Sequence, residues 1–436
     1  MQKPKWRHIP ARAAGSTFLL TLLLLVSFDV FLNCVKPLRY ANHTGFTTIR
    51  QNHLVSKLPP IMESSEDRDV LLTGSSTMLV PAVRCDDEFH GRRTRFDPWY
   101  KRNFLNEYYS ADYLEKLLSD AAHRPVSVWN ASVSASLMSD QYLIVRKYLS
   151  TGRRPKVVII SLAPREFLDN DRKNVEKTAT YSLLADFTSL PELVRETKDP
   201  WRLADAFLGV GWSYYKARGD YRSFLDSVIS KTTGHPINNF QAQIVLNGGK
   251  LFDDAPKVVL NPEDVDYGVL DQVKPDYEPK PNTLKDIGSY QRMYLPINQE
   301  QFKTQTEYLN KLLTLLNQEK IATVVVDIPL VPENYALLPK EVLAQYRQML
   351  GDQCAAHNVP LIAPGRSDGN QGVNGTAIPA LARTYERNDY EDTVHMNASG
   401  GKKLFQSIAD TISGEPQLRS SLSQQARSVA STNRSL

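Results

Sequence analysis

The sequence predicts an α/β fold: a parallel sheet with helices on both faces in three layers. Three observations carry that expectation. Short apolar runs of strand length recur at 69–74 (DVLLTG), 126–131 (VSVWNA), 156–162 (KVVIISL), 322–330 (ATVVVDIPL) and 359–363 (VPLIA), as strands buried on both faces read. Between them lie longer segments of helical pattern at about 108–122, 136–150, 299–319 and 339–356. Strand, helix and strand in repetition is the signature of a parallel sheet flanked by helices.

Each element has its own justification. In the segment 299–319, Phe302, Tyr308, Leu309, Leu312, Leu313 and Leu316 mark one apolar helical face. The 436 residues, 42% hydrophobic and 23% charged, are enough for one large domain or two modest ones with a sizeable core. A net charge of +4, with Lys and Arg scattered, gives no basic face or tail for nucleic acid.

The segment 15–35 (GSTFLLTLLLLVSFDVFLNCV) follows a head, 1–14, that carries Lys3, Lys5, Arg7 and Arg12. It reads as a membrane span, since about 20 apolar residues cross the hydrocarbon core, with Asp29 and Asn33 near the far interface. Basic residues ahead of a span hold the N-terminus in the cytoplasm, so the remainder is expected outside, in the periplasm if the envelope has an outer membrane. A cleaved signal peptide is the rival reading. It wants small residues at its end, where this chain has Phe31, Leu32 and Val35. Cys34 lacks the small residue that lipoprotein processing wants just ahead of it. Cys85 and Cys354 either bridge or lie as separate buried thiols.

Residues 36–68, largely polar with Pro59 and Pro60, read as a stalk, and the fold is expected over 69–413. From about 170 to 298 the strand–helix rhythm breaks, which predicts an inserted, mainly helical cap. Its stretch WRLADAFLGVGWSYYKARGDYRSFLDSVIS fits a packed helical pair, a lid, or helices resting on a membrane through their aromatics. From 414 to 436 the tail is rich in Ser, Gln and Arg and is expected to be disordered.

Two short elements carry chemistry. The first strand runs into Gly74, Ser75, Ser76 and Thr77, and glycine there allows a tight turn that presents a hydroxyl at the carboxyl edge of the sheet. Near the other end, Asp392 and His395 stand three residues apart before an amphipathic segment with Leu404, Ile408 and Ile412 on one face. A serine nucleophile needs an imidazole base, and the imidazole needs a carboxylate to fix its tautomer. Asn397 is placed to cap the helix that follows. The eight His are dispersed without ligand spacing, so neither a metal nor another cofactor is expected.

Together these elements resemble the SGNH, or GDSL, hydrolase superfamily over roughly 69–169 and 299–413, with GSS standing where the family has GDS. The resemblance implies Ser76 as nucleophile and Asp392 and His395 as its partners. The family's oxyanion glycine after the second strand is replaced by the run Asn130–Ser134, where the Ser132 N–H is the expected donor. Its G-x-N-D after the third strand is replaced by the run Ser161–Glu166, where Arg165 either serves the oxyanion or substrate or pairs with Glu166 or another acid. Asp327 ends a strand on the same edge.

The segments SLAPREFLDN and VVVDIPLVPEN, with the anchor, resemble a divergent bacterial, membrane-anchored extracytoplasmic SGNH-like family. This implies an O-acyl esterase or O-acyltransferase whose partners are a cell-envelope glycan or acylated carbohydrate and a membrane acyl-donor protein. The alternative is a non-catalytic SGNH-like protein that binds glycan or serves envelope assembly.

Overall fold

The computed structural model describes residues 11–35, 53–55, 57–94, 108–216, 283–364 and 384–423, with short pieces at 218, 221, 232–233, 267–269, 370–371 and 377–378. The chain forms two compact units, Met1–Gln51 with Ala185–Lys257, and Asn52–Leu184 with Val258–Leu436.

In the first unit, helix α1 (Ala11–Val35) is apolar, and its Thr17–Val35 portion has a mean hydropathy of 2.3 and is 6% buried, long and apolar enough to cross a membrane. The second unit opens with helix α2 (Leu58–Glu63), followed by strand β1 (Val70–Thr73), helix α3 (Ser76–Phe89) and strand β2 (Arg92–Thr94). Next come helix α4 (Asp112–Ala122), strand β3 (Val128–Asn130), helix α5 (Met138–Ser150), strand β4 (Val157–Leu162), helix α6 (Arg165–Leu168) and helix α7 (Ala179–Leu184). Helices α8 (Leu190–Glu196), α9 (Pro200–Gly211) and α10 (Ser213–Lys216) belong to the first unit. The second resumes with strand β5 (Tyr267–Val269), helices α11 (Thr283–Tyr294) and α12 (Gln299–Gln318), and strand β6 (Ala322–Asp327). It closes with helices α13 (Pro332–Tyr335) and α14 (Lys340–Ala356), strands β7 (Leu361–Ile362), β8 (Asn370–Gln371) and β9 (Ala377–Ile378), and helices α15 (Ala398–Gly414) and α16 (Pro416–Ser423).

Five parallel strands in the order β3-β1-β4-β6-β7 form the sheet, and β8 and β9 extend its edge antiparallel. Alternate residues Val70, Leu72, Val157, Ile159, Val324 and Val326 share one core with Met78, Leu114, Leu404 and Ile408 from α3, α4 and α15. The strand residues that point the other way, Leu71, Val158, Ile160 and Val325, are also fully buried. Burial of both sets is why these strands read as continuous apolar runs rather than alternating ones. At the amino edge, Asp69 pairs with Arg124 at 3.0 Å and Lys156 at 2.8 Å, tying β1 to the starts of β3 and β4.

Helix α12 buries all six residues of the expected face, together with Gln301 and Gln305. It packs on α5 and β6, and Gln305 Oε1 accepts from the Ser139 N–H at 2.9 Å. Inside the sheet, buried Gln141 of α5 accepts from the Thr73 hydroxyl at 3.0 Å and donates to the Ser161 carbonyl at 3.0 Å. That one amide fixes the carboxyl ends of β1 and β4 against each other.

Two expectations are corrected, at the stalk and at the tail. The stalk does not run to residue 68: Leu58, Ile61 and Met62, spaced for one helical turn, are buried, and Lys57 donates to the Tyr108 carbonyl at 2.9 Å. A single turn is too short to show a sustained period. Residues 36–52 lie outside the described residues. The tail is helical over Pro416–Ser423, because Leu418 and Leu422 join the core beside α15; residues 424–436 lie outside the described set. Cys85 and Cys354 are separate buried thiols, the first packed where α3 meets Gly401 of α15. Within 170–298, the described residues are helical or loop apart from β5, which pairs antiparallel with β2.

Candidate active site

With β3 on one side of β1 and β4, β6 and β7 on the other, the order of connection reverses between β1 and β4. In such sheets the crevice for ligands opens at the carboxyl ends of those strands. The residues that follow β1 are Gly74, Ser75 and Ser76. A Cβ at Gly74 would lie 1.9 Å from Ser161 Oγ, so only glycine lets the turn press against β4. The Gly74 carbonyl accepts from the Val133 N–H at 2.9 Å and the Ser136 hydroxyl at 2.8 Å, which stitches the turn to the loop after β3.

The two serines have different jobs. Ser75 is fully buried and caps α3, its Oγ accepting from the Thr77 N–H at 3.3 Å. Ser76 is half-buried, the first residue of the helix, and its Oγ lies 2.9 Å from His395 Nε2. Being at the helix start, the Ser76 N–H has no intrahelical acceptor, and the helix dipole favours negative charge beside it.

His395 Nδ1 lies 2.6 Å from Asp392 Oδ2, while Asp392 Oδ1 accepts from the N–H groups of Val394 at 2.8 Å and His395 at 2.7 Å. Since a carboxylate only accepts, Nδ1 carries the proton and Nε2 is left to accept from the Ser76 hydroxyl. The Asp392–His395 turn is braced at its base. Glu391 N–H donates to the His395 carbonyl at 2.9 Å, and Tyr390 bridges Met396. Arg84 holds Glu391 at 2.8 Å, and Arg387 donates to the Asp392 carbonyl at 3.2 Å. Asn397 then caps α15, accepting from the Gly400 N–H at 3.2 Å.

The electrostatics follow from these contacts. Burial alone pushes the Asp392 carboxyl up, but the charge and hydrogen bond of His395, with the two backbone donors, outweigh it and bring the group down to about 2. Burial alone lowers His395, yet the Asp392 charge and hydrogen bond, aided by Glu391, hold the imidazole above its ordinary value against the opposing charge of Arg165.

No protein-family model matches the chain, and no curated protein matches it at a significant level. Among the described residues, no three His, Cys, Asp or Glu side chains gather as a metal site needs.

The structure brings Ser76, His395 and Asp392 together and treats Ser132 and Arg165 differently. The Ser132 N–H, the expected donor, is committed to Asn130 Oδ1 at 3.1 Å. Short-range Asx geometry of this kind leaves no mark in residue spacing. Arg165 is buried and pairs with Asp169 at 2.7 Å, not with Glu166, and also donates to the Ala135 carbonyl at 3.2 Å. Both bonds use Nη2, so Nε and Nη1 donate to no described residue. Glu166 turns inward, where its Oε2 accepts from the Ala163 N–H at 2.7 Å; burial raises its carboxyl despite Arg165 and the Ser75 hydroxyl. Asp327 is buried and accepts from the Tyr346 hydroxyl at 2.9 Å.

Sequence reasoning missed the bracing of the site: Arg84 with Glu391, Gln141 between two strands, and Glu166 behind Ser75. Only Glu391 carried a signal, as an acid beside the D-x-x-H pair.

Proposed function

We propose that the protein is an extracytoplasmic O-acyl esterase or O-acyltransferase acting on a cell-envelope carbohydrate through Ser76, His395 and Asp392. The observation that carries this reading is the unbroken chain from Ser76 Oγ to His395 Nε2 and from His395 Nδ1 to Asp392 Oδ2, at 2.9 and 2.6 Å. The doubly wound strand order, with Ser76 directly after β1 and Asp392 and His395 directly before α15, supports the SGNH-type, three-layer layout.

In the first half-reaction the Ser76 oxygen bonds to the ester carbonyl carbon as its proton passes to His395 Nε2. Asp392 holds the imidazolium so formed. The carbonyl oxygen takes the negative charge, faced by the Ser76 N–H at the start of α3 and by the unused edge of the Arg165 guanidinium. The ester C–O bond then breaks, the leaving oxygen takes the proton back from Nε2, and the acyl group remains on Ser76. In the second half, a water or sugar hydroxyl loses its proton to Nε2 and attacks the acyl carbon; the bond from that carbon to Ser76 Oγ breaks, and the serine oxygen takes the proton back from Nε2. Water makes the reaction hydrolysis and a sugar hydroxyl makes it transfer; the same residues serve both.

A burst assay with p-nitrophenyl acetate tests this. The expected result is a burst equal to the enzyme concentration, an acetyl group mapped to Ser76 after acid quench, and loss of both in Ser76→Ala and His395→Ala. Added carbohydrate that speeds the second phase and becomes acetylated assigns transfer. An intact fold that shows neither burst nor acetyl adduct contradicts the proposal and leaves a non-catalytic binding protein.

A further inference from the structure

The 200–211 helix is amphipathic in the reverse of the usual sense. On α9, the exposed positions are Pro200, Trp201, Ala204, Phe207, Leu208 and Gly211. Their spacing places them on one side of the helix, and every one is apolar. Arg202 and Asp205 lie off that face, and Ala206 is the residue buried behind it. Trp201 is 82% exposed and Phe207 57%. A helix on a water-facing surface shows its charged side to the solvent; this one shows its apolar side.

Contacts with α1 indicate what that side faces. The Ser213 hydroxyl donates to Asn33 Oδ1 at 2.6 Å, the Tyr214 N–H donates to Asp29 Oδ1 at 3.1 Å, and the Tyr214 ring meets Phe28 at 5.8 Å. Asp29 and Asn33, near the end of the span, thus receive the chain directly after α9. Asp29 lies six residues before the end of α1, roughly 9 Å along its axis. The end of α9 is therefore held beside the outer part of the apolar helix, where lipid surrounds it. Trp212, stacked on Tyr215 at 6.1 Å, and Tyr214, stacked on Tyr221 at 5.7 Å, supply aromatics of the kind that settle at headgroup level.

We propose that α9 is an interfacial helix that lies in the outer leaflet beside α1, with Trp201, Phe207 and Leu208 in the acyl region. The occupant of its exposed face is the bilayer. The proposal rests on α1 as a membrane span and not on the chemistry of Ser76.

The test is nitroxide accessibility in the full chain, reconstituted in phosphatidylcholine–phosphatidylglycerol nanodiscs on a Cys34→Ser background. Labels are placed through Ala204→Cys and Phe207→Cys, with Leu23→Cys as the lipid reference and Asp120→Cys as the water reference. The expected result is that positions 204 and 207 collide with oxygen in preference to the nickel chelate, as position 23 does and in reverse of position 120. Nickel access like that of position 120 puts the face in water and overturns the proposal. Dipolar broadening between labels shows a second copy on the face, and exclusion of both oxygen and nickel shows a protein partner; either overturns it too. If position 23 also reports water, the span reading fails with it; if position 23 reports lipid while 204 and 207 do not, only the helix proposal fails.

Discussion

At the residue scale, the site turns on which of two adjacent serines presents its hydroxyl to His395. Ser75 is a cap and Ser76 faces the imidazole, so Ser75→Ala should cost about 1 kcal/mol of stability and keep the reactive serine, while Ser76→Ala should leave stability intact and abolish turnover. Thermal melts and initial rates on both variants check this. The pH profile follows from the shifts. The proposed mechanism needs neutral His395, and that group is held above its ordinary value, so kcat/KM should rise with pH through a limb above ~6.5. Asp392→Asn removes the main raising influence, so the limb should move down while kcat falls on the order of 10⁴-fold. Stability runs with opposite signs for the pair. The Asp392 contribution is present above its unfolded value of about 3.9 and is lost as pH falls through about 2. The His395 contribution is complete below ~6.5 and is lost as pH rises through its higher folded value. The spacing of Asp392 and His395 and the turn at Gly74 were legible because local geometry alone sets them. The Asn130 side chain that takes the Ser132 N–H was not, since nothing in residue order distinguishes a free amide from a committed one.

Elements were legible where burial on both faces or a long amphipathic period leaves a pattern. The expected runs around β1, β4 and β6 contain the observed strands, and the expected face of α12 is the buried one. Short elements whose order comes from docking were missed. Helix α2 has one turn, and α16 has two apolar anchors among Ser, Gln and Arg. Leu422→Ala should therefore cost roughly 2–5 kcal/mol, measured by chemical denaturation; no loss would mean that the 416–423 helix is not part of the core. Gly74→Ala is the matching test at the turn. Its Cβ meets Ser161 Oγ at 1.9 Å and Met78 Cβ at 2.9 Å, so overpacking should destabilise by about 1–3 kcal/mol and displace Ser76. Adding Ser161→Ala should recover part of both losses.

At the scale of the whole molecule, the crevice position follows from connectivity. Placing β1 between β3 and β4 sends successive connections to opposite sides, and the loops after β1, β3 and β4 meet where Gly74, Ser132 and Arg165 are found. The return of the chain through α15 brings Asp392 and His395 to Ser76 across more than 300 residues of sequence. Pattern reasoning could anticipate that meeting only because both segments border sheet elements; the division into two units, with 185–257 grouped with the N-terminal helix, left no pattern to read. The central claim is that Ser76 is a nucleophile activated by His395 and Asp392, and fluorophosphonate labelling of the full chain in membranes, followed by peptide mapping, tests it most directly. The account predicts one phosphonylated residue, Ser76, with labelling lost in His395→Ala and retained in Ser75→Ala. A folded protein that takes no label, or one labelled at another serine, contradicts it.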